Sequence, residues 1–281
     1  MRVFRDPDEL QREVLSLRAQ GRRIALVPTM GNLHAGHISL VSAALNSADI
    51  VIVSIFVNPT QFGAGEDFKK YPRTFEDDVA MVSAVAPDAF IFWPEASTMY
   101  ATDSSVWVDE TVLSTVLCGK SRPGHFRGVC TVVTKLFHIT LPDIAYFGQK
   151  DAQQALIIRR MVRDLNFPIK IVVTPTVRET DGLAMSSRNR FLSEGDRKKA
   201  SGLYAALAAA EARVLADRTV KASVIRDEIY AVIDSLGGKV DYVEVLSGDT
   251  LQPVVDCTGT ILIAVAYAFG STRLLDNVLI E

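Results

Sequence analysis

Two histidines that lie three residues apart are the first residues in the chain with clear chemical potential. His34 and His37 stand in the segment PTMGNLHAGH at 28–37, directly after a short apolar stretch. At this spacing both imidazoles project from one face of a helical turn. Gly31 and Gly36 let the backbone approach a ligand closely, and the unpaired amides at the start of a helix attract anions. The segment therefore predicts a phosphate-binding site, with simple helix capping by the histidines as the alternative.

The same segment lacks the residues of two other kinds of site. Its glycines have Walker spacing, but His37 stands where a P-loop has lysine and Ile38 where it has serine or threonine. A metal site built on the histidine pair has no evident third ligand, because the other histidines of the chain are His125 and His138. Phosphate binding is therefore favoured over both.

Neutral amide side chains follow the next apolar stretch. Asn58 and Gln61 stand in FVNPTQF at 56–62, and amides suit the hydroxyl and carboxylate groups of a small polar substrate. Asn58 by itself is also typical of an Asn-Pro turn. Asp77 lies near the start of a predicted helix, where it either caps the helix, as its spacing favours, or binds Mg²⁺ through its oxygens.

A lysine and a hydroxyl-rich cluster complete the set of candidates. Lys150 follows a glycine turn, where a point charge on a flexible stem suits phosphates, and Gln154 lies one helical turn further on. Ser186 and Ser187 beside Arg188 predict an anion site, with an interdomain ion-pair network as the alternative. No nucleophile stands next to a base. The groups therefore predict nucleotidyl or phosphoryl transfer, in which positioning and charge neutralisation carry most of the rate.

Apolar stretches that alternate with helical patterns predict the framework for these groups. Strands without polar alternation are buried on both faces, and strands that alternate with helices form parallel sheets. We expect an α/β fold whose first domain, residues 1–175, is a doubly wound, Rossmann-like sheet that binds ligands at the carboxyl ends of its strands. Five strands are predicted, at 24–27, 50–57, 89–93, 144–147 and 169–173.

The pattern changes after Pro175. One helix is predicted from Ser193 to about Leu215 and a second over 221–236. Strands follow at 240–246, 261–268 and, less clearly marked, 278–280. Helices followed by strands predict a smaller α+β domain over residues 176–281.

Composition excludes several classes of protein. The chain has 281 residues with 48% hydrophobic and 22% charged, which is typical of a globular protein of about two domains. Lys+Arg number 30 and Asp+Glu 33, a net charge of −3, which argues against a nucleic-acid partner. The 3 cysteines form no C-x-x-C pair, so no disulfide or zinc framework is indicated. No signal peptide or apolar stretch of membrane-spanning length is evident, so we expect a cytoplasmic protein with no membrane partner.

Six segments carry a resemblance to a known family. They are PTMGNLHAGH at 28–37, FVNPTQF at 56–62, YPRTFEDD at 71–78, RPGHFRGV at 122–129, YFGQKDAQQ at 146–154 and RETDGLAMSSRNRFL at 178–192. In this order they resemble the pantothenate synthetase (pantoate–β-alanine ligase) family of the H-x-G-H nucleotidyltransferase superfamily. H-x-G-H alone indicates only the superfamily, whereas its combination with NPTQF, FGQKD and MSSRN is specific.

The resemblance implies a two-step reaction and a role for each matching residue. Pantoate and ATP would form pantoyl adenylate and pyrophosphate, and β-alanine would then give pantothenate and AMP. His37 matches a proton donor, and His34 and Lys150 would steady the phosphate charge. The positions that match ATP contacts are Met30, Gly31, Asn32, Leu33, His34, Ala35, Gly36, His37, Gly148, Gln149, Lys150, Asp151, Val177, Met185, Ser186, Ser187 and Arg188.

The resemblance also implies a pantoate pocket and partners. Gln61 and Gln154 match pantoate-binding glutamines, Asn58 would help to build that end of the pocket, and Asp77 matches a Mg²⁺ contact. The second domain would act as a lid over ATP, and the first would form a homodimer.

Two other functions stay open from the residues themselves. A nucleotidyltransferase that stops at transfer of AMP or CMP to a phosphate would need more positive charge near Gln61 and Gln154. A nucleotide-binding regulator without catalysis would not need to keep both Lys150 and Gln154.

Overall fold

The computed structural model describes residues 1–63 and 65–281, which divide into two compact units. Unit 1 comprises Met1–Gly148 and Gln153–Pro175, and unit 2 comprises Gln149–Ala152 and Thr176–Glu281. The first domain was predicted to include every residue up to 175. In the structure the four residues that follow Gly148, among them Lys150, group instead with unit 2.

Unit 1 is built on a six-stranded parallel sheet. Its strands are β1 (Arg2–Phe4), β2 (Ile24–Thr29), β3 (Ile50–Ile55), β4 (Phe90–Phe92), β5 (Ile144–Gly148) and β6 (Lys170–Thr174), in the order β1-β4-β3-β2-β5-β6. The doubly wound α/β fold is confirmed, but the expectation of five strands was one strand too few. The edge strand β1 was missed because three residues with one buried side chain, Phe4, form no apolar stretch in the sequence.

Helices cover both faces of this sheet. They are α1 (Pro7–Ala19), α2 (Ala35–Leu45), α3 (Phe75–Val85), α4 (Ala96–Met99), α5 (Cys118–Ser121), α6 (His125–Thr140) and α7 (Ala152–Asp164). Helix α1 is capped by the Asp6 carboxylate, which accepts hydrogen bonds from the amides of Asp8 and Glu9 at 2.8 and 3.0 Å. Buried residues of α2 and α3 share one core with alternate strand residues such as Val27 and Val53. The intervening strand residues are buried on the opposite face.

The order of the strands creates a switch point at β2. The chain runs from β2 outward to β3 and β4, and later returns to place β5 on the other side of β2. Ligands of doubly wound sheets bind in the crevice outside the carboxyl ends of the strands at such a point. The histidine-containing segment follows β2 directly, so unit 1 places it at the edge where a ligand is expected.

Unit 2 packs helices on a three-stranded antiparallel sheet. Its elements are α8 (Glu194–Ala200), α9 (Gly202–Ala216), α10 (Ala222–Asp234), β7 (Lys239–Ser247), β8 (Ile261–Phe269) and β9 (Thr272–Ile280), with strand order β7-β8-β9. The predicted α+β character is confirmed. The single helix predicted from Ser193 is two helices that meet at Ser201, because a Ser-Gly pair favours a break. Strand β9 begins six residues earlier than predicted, since Asp276 and Asn277 interrupt its apolar pattern.

Candidate active site

His34 and His37 cap the first turn of α2 reciprocally. The amide of His34 donates to Nδ1 of His37 at 3.3 Å, and the amide of Gly36 donates to Nδ1 of His34 at 3.1 Å. The ring centroids are 4.1 Å apart. Because Nδ1 of each ring accepts a hydrogen bond, the neutral ring carries its proton on Nε2. Capping and phosphate binding, the two alternatives predicted from the sequence, are therefore compatible: the cap uses Nδ1, and Nε2 is the donor edge of each ring.

A buried carboxylate from α3 holds the loop between β2 and α2. Asp78 is 1% exposed, and its two oxygens accept hydrogen bonds from the amides of Asn32 and Leu33 at 2.9 and 2.7 Å. Burial raises the pKa of Asp78, and the two amides partly offset that rise. The carboxylate predicted from the sequence was the neighbouring Asp77, and Asp78 was not predicted. The available signal was its spacing, since Asp78 lies four residues before Val82 on the buried face of α3.

The same loop requires a glycine and presents a buried donor. Gly31 and Asn32 have φ of 80° and 51°, the left-handed region. A Cβ at Gly31 would lie 2.9 Å from Oδ2 of Asp78, so only glycine fits. Asn32 is 4% exposed, and its Nδ2 has no hydrogen-bond partner in the described part of the chain. A buried donor without a partner costs roughly 1–3 kcal/mol, which an oxygen-rich ligand at this loop would relieve.

The amide of Gln61 has a fixed orientation. Asn58, 1% exposed, donates from Nδ2 to Oε1 of Gln61 and to the Gly128 carbonyl, both at 3.1 Å, and accepts from the Tyr100 hydroxyl at 2.9 Å. Since Oε1 of Gln61 is held by Asn58, Nε2 is its donor end, 3.0 Å from Sδ of Met30. Gly128 packs closely against the backbone here, since a Cβ at this position would lie 2.7 Å from the backbone nitrogen of Gln61. Asn58 therefore acts on this end of the site through Gln61.

The backbone of Gln61 is supported by the segment before α6. Nδ1 of His125 lies 2.8 Å from the Gln61 carbonyl oxygen. Arg122 donates to both oxygens of Glu66 at 2.7 and 2.6 Å and to the Gln61 carbonyl at 3.3 Å. The Arg122 guanidinium holds the pKa of Glu66 below its usual range, because it stabilises the charged carboxylate.

In unit 2, the turn Gln149–Asp151 is attached to strand β9. Asn277 donates from Nδ2 to the carbonyl oxygens of Gln149 and Lys150 at 3.0 and 2.9 Å. Gln149 donates in return from Nε2 to Oδ1 of Asn277 at 2.9 Å. Nζ of Lys150 lies 3.6 Å from an oxygen of Asp151. Lys150 belongs to a 3-10 turn, and α7 begins at Ala152.

The hydroxyl-rich segment of unit 2 forms part of a hairpin-like loop. The Met185 amide donates to the Val177 carbonyl at 3.0 Å, so these two candidate residues are adjacent. Oγ of Ser186 accepts from the Arg188 amide at 3.3 Å and starts the 3-10 turn Ser187–Phe191. Unit 2 thus brings Val177 together with the Met185–Arg188 segment by local hydrogen bonding.

The remaining candidates are less constrained, and the metal ligand is the weakest of them. Gly148 ends β5, Gln154 is half-buried in the first turn of α7, and Asp77 is exposed. Within residues 1–63 and 65–281, no group of three or more His, Cys, Asp or Glu could hold a metal ion. Asp77 beside the engaged Asp78 fits Mg²⁺ only as an ion that arrives with a nucleotide's phosphates, since such ions keep one or two carboxylate ligands.

Comparison with known proteins decides the family. The model of the pantoate-beta-alanine ligase family matches residues 2–279. The chain belongs to this family. Pantothenate synthetase of Thermosipho melanesiensis is 48% identical over 281 residues, 100% of this chain and 99% of the relative. That of Moorella thermoacetica is 50% identical over 269 residues, 95% of this chain and 94% of the relative. The chain is therefore a ligase.

Solved structures agree with this assignment. Pantothenate synthetase from Thermus thermophilus has a TM-score of 0.92 at 40% identity, with 99% of each chain covered. The pantoate-beta-alanine ligase from Francisella tularensis has a TM-score of 0.79 at 34% identity, covering 99% of this chain and 97% of that one, and was solved with beta-gamma ATP and beta-alanine. In the described residues of the present chain, no helix has the length and hydropathy needed to cross a bilayer.

Proposed function

We propose that the chain condenses pantoate with β-alanine to pantothenate at the expense of ATP. A pantoate carboxylate oxygen attacks the α-phosphorus, the bond from that phosphorus to the bridging oxygen breaks, and pyrophosphate leaves. The β-alanine amine then attacks the carbonyl carbon of pantoyl adenylate, the carbon–oxygen bond to phosphate breaks, and AMP leaves as the nitrogen loses a proton. The names of the relatives and the ATP complex of the Francisella ligase support this reaction.

One observation carries the choice of acceptor. Nε2 of Gln61 lies 3.0 Å from Sδ of Met30, at the start of the loop that ends in His34 and His37. Imidazole donors suit phosphates, whereas a neutral amide suits a hydroxy acid whose only charge is its carboxylate. A nucleotidyltransferase that acts on a phosphorylated acceptor would need a cation where Gln61 stands, so the ligase is favoured.

The nucleotide would be bound by the residues that match ATP contacts in the family. The histidine pair would donate from Nε2 to phosphate oxygens, His37 as the proton donor, and Lys150 would stabilise the charge that develops on the departing pyrophosphate. Asn32 Nδ2 is a buried donor that such a ligand would satisfy. The remaining contacts with ATP are proposed for residues 30–37, 148–151, 177 and 185–188.

The second substrate and the partners follow the same proposal. Gln61 and Gln154 would hold pantoate, with Asn58 orienting Gln61, and Asp77 would contact a Mg²⁺ ion bound to ATP. Residues 1–175 would bind the substrates and form a homodimer, and residues 176–281 would close over ATP. We also propose a cytoplasmic location.

Isotope exchange tests the proposal. Labelled pyrophosphate should exchange into ATP only when pantoate is present, and AMP should appear only when β-alanine is added. Excess EDTA should abolish both reactions. No exchange with pantoate, or equal exchange without it, would contradict the ligase assignment; full activity in EDTA would contradict the Mg²⁺ proposal alone.

A further inference from the structure

We propose that Asn277, on the last strand of the chain, is a positioning residue for Lys150. The inference rests on the role of Lys150 in the proposed function and deepens it. Asn277 lies 127 residues from Lys150 in sequence and 2.9 Å from its carbonyl oxygen in the structure. Nothing in the residue pattern around either position links the two.

The hydrogen bonds of Asn277 use its whole amide. Both hydrogens on Nδ2 are donated, one to the Gln149 carbonyl at 3.0 Å and one to the Lys150 carbonyl at 2.9 Å. Oδ1 accepts from Nε2 of Gln149 at 2.9 Å. The reversed amide would place Oδ1 against two carbonyl oxygens, so its orientation is unambiguous. Three bonds from one side chain therefore hold two consecutive residues of the turn.

The position of Asn277 on the sheet suits this role. Leu274 and Val278 belong to the core beneath α9 and α10, and residues alternate between faces along a strand, so Asn277 lies on the other face. Asn277 is nevertheless buried, with only 5% of its surface exposed. It belongs to unit 2, as does the turn Gln149–Asp151. A buried amide in an apolar strand is costly unless it is fully bonded, and the turn supplies those bonds.

A buried ion pair fixes the strand at this point. The backbone amide of Asn277 donates to Oδ1 of Asp276 at 2.8 Å. Arg178 in turn donates to both carboxylate oxygens of Asp276, at 2.6 and 3.0 Å. The Arg178 guanidinium also lies 3.7 Å from the centre of the Tyr204 ring. The support behind Asn277 is therefore rigid, and its amide is pre-oriented toward the turn.

The consequence for Lys150 is geometric. A carbonyl held on each of residues 149 and 150 fixes the peptide planes on both sides of the Lys150 Cα, and with them the direction in which its side chain leaves the backbone. A catalytic group that is displaced by about 1 Å can lose roughly 100-fold in rate. Asn277 touches neither substrate in this account and acts only through Lys150.

Single-turnover formation of pantoyl adenylate measures this role. Asn277→Ala should lower the adenylation rate about tenfold with an unchanged KM for pantoate. Asn277→Asp keeps the size and the acceptor but removes both donors, so it should lose a similar factor, and it answers the question if Asn277→Ala does not fold. Thr272→Val, which removes the hydrogen bond from Thr272 to the Phe191 carbonyl on the same strand, should stay within twofold of the wild type.

A double-mutant cycle separates positioning from structural support. In a Lys150→Ala background, Asn277→Ala should change the rate by less than twofold, because the group that it positions is gone. An equal tenfold loss in both backgrounds, or full activity of Asn277→Asp, would overturn the proposal. A wild-type chain without pantoate-dependent pyrophosphate exchange would instead refute the proposed function, and this inference with it.

Discussion

The loop that carries the histidines and the turn that carries the lysine are held by side chains of opposite polarity. In unit 1, the Asp78 carboxylate accepts from two consecutive backbone amides, those of Asn32 and Leu33. In unit 2, the Asn277 amide donates to two consecutive carbonyls, those of Gln149 and Lys150. Each holding residue is almost fully buried and lies far away in sequence from the segment that it holds.

The difference follows from which backbone groups each segment turns inward. The left-handed residues of the histidine loop turn amides toward α3, and only an acceptor satisfies them. The lysine turn directs carbonyls at β9, and only a donor satisfies those. The first arrangement buries a charge, so burial raises the pKa of Asp78, whereas the second buries a neutral group. A segment of the site can therefore be rigid without regular secondary structure when one buried side chain holds two of its peptides.

The largest effect tests the lysine side of the comparison. Lys150→Ala should lower the adenylation rate about 100-fold, because a cation that stabilises transition-state charge is lost. Its melting temperature should stay close to that of the wild type, since the ion pair of the Lys150 side chain with Asp151, at 3.6 Å, is with a solvent-exposed residue and stabilises the fold little. Rapid-quench assays check the rate, with Lys170→Ala, an exposed lysine of unit 1, as the control. A rate within threefold of wild type would contradict the assigned role.

The next effect tests the histidine side. Asp78→Ala should raise the KM for ATP about tenfold and lower the free energy of unfolding by about 1–3 kcal/mol, because two buried amides lose their acceptor. For Asp78→Asn, which keeps one acceptor oxygen, the KM for ATP and the free energy of unfolding should lie between those of Asp78→Ala and the wild type. Steady-state kinetics and urea unfolding measure the two quantities, and the exposed Asp88→Asn is the matched control. A loss of stability with an unchanged KM for ATP would show that Asp78 supports the fold and not the loop.

A smaller effect distinguishes the residues proposed to bind pantoate from those proposed to bind ATP. Gln61→Ala should raise the KM for pantoate roughly fivefold, since one hydrogen bond worth about 1 kcal/mol is removed. The KM for ATP should stay the same. Asn58→Ala should shift the pantoate KM in the same direction, because Asn58 fixes the Gln61 amide. Equal weakening of ATP and pantoate by Gln61→Ala would contradict the separation.

The smallest effect concerns the ion pair that supports the Gln61 backbone. The pKa of Glu66 is lowered in the folded state by Arg122, so its contribution is present above the ordinary glutamate pKa and is lost as pH falls through the folded value. Glu66→Gln should cost up to about 1 kcal/mol of unfolding free energy at pH 7, and progressively less as pH falls below the ordinary glutamate pKa.

Chemical denaturation over this pH range measures the contribution of Glu66. The exposed ion pair of Glu194 with Lys198 provides the control, because a surface pair contributes little and Glu194→Gln should change the free energy of unfolding by less than about 0.5 kcal/mol. A cost of Glu66→Gln that grows toward low pH would contradict the assignment.

The sequence predicted most of the fold because its elements are long and strongly patterned. β2, β3 and β5 are largely apolar stretches of five or six residues, and α1 has an Asp-Pro start. Edge strand β1 was not predicted because three residues are too few to show that pattern. The first six residues of β9 were not predicted because its central Asp-Asn pair interrupts the pattern.

The candidate residues were found where chemistry and spacing are local, as in the histidine pair. The residues that hold these candidates in place were not predicted, because Asp78 and Asn277 bind segments that lie 45 and 127 residues away in sequence. A residue's backbone partners at such a distance depend on the assembled sheet and helices, and neither composition nor periodicity contains them. Asp78 was within reach of helical spacing, while Asn277 was marked only by its polarity within an apolar strand.

Attack of the pantoate carboxylate on the α-phosphorus of ATP can be followed with pantoate that carries ¹⁸O in its carboxylate. When ATP and β-alanine are added, AMP should carry one ¹⁸O atom from pantoate, as measured by mass spectrometry, and pyrophosphate should carry none. Label in inorganic phosphate, or AMP without label, would contradict the account.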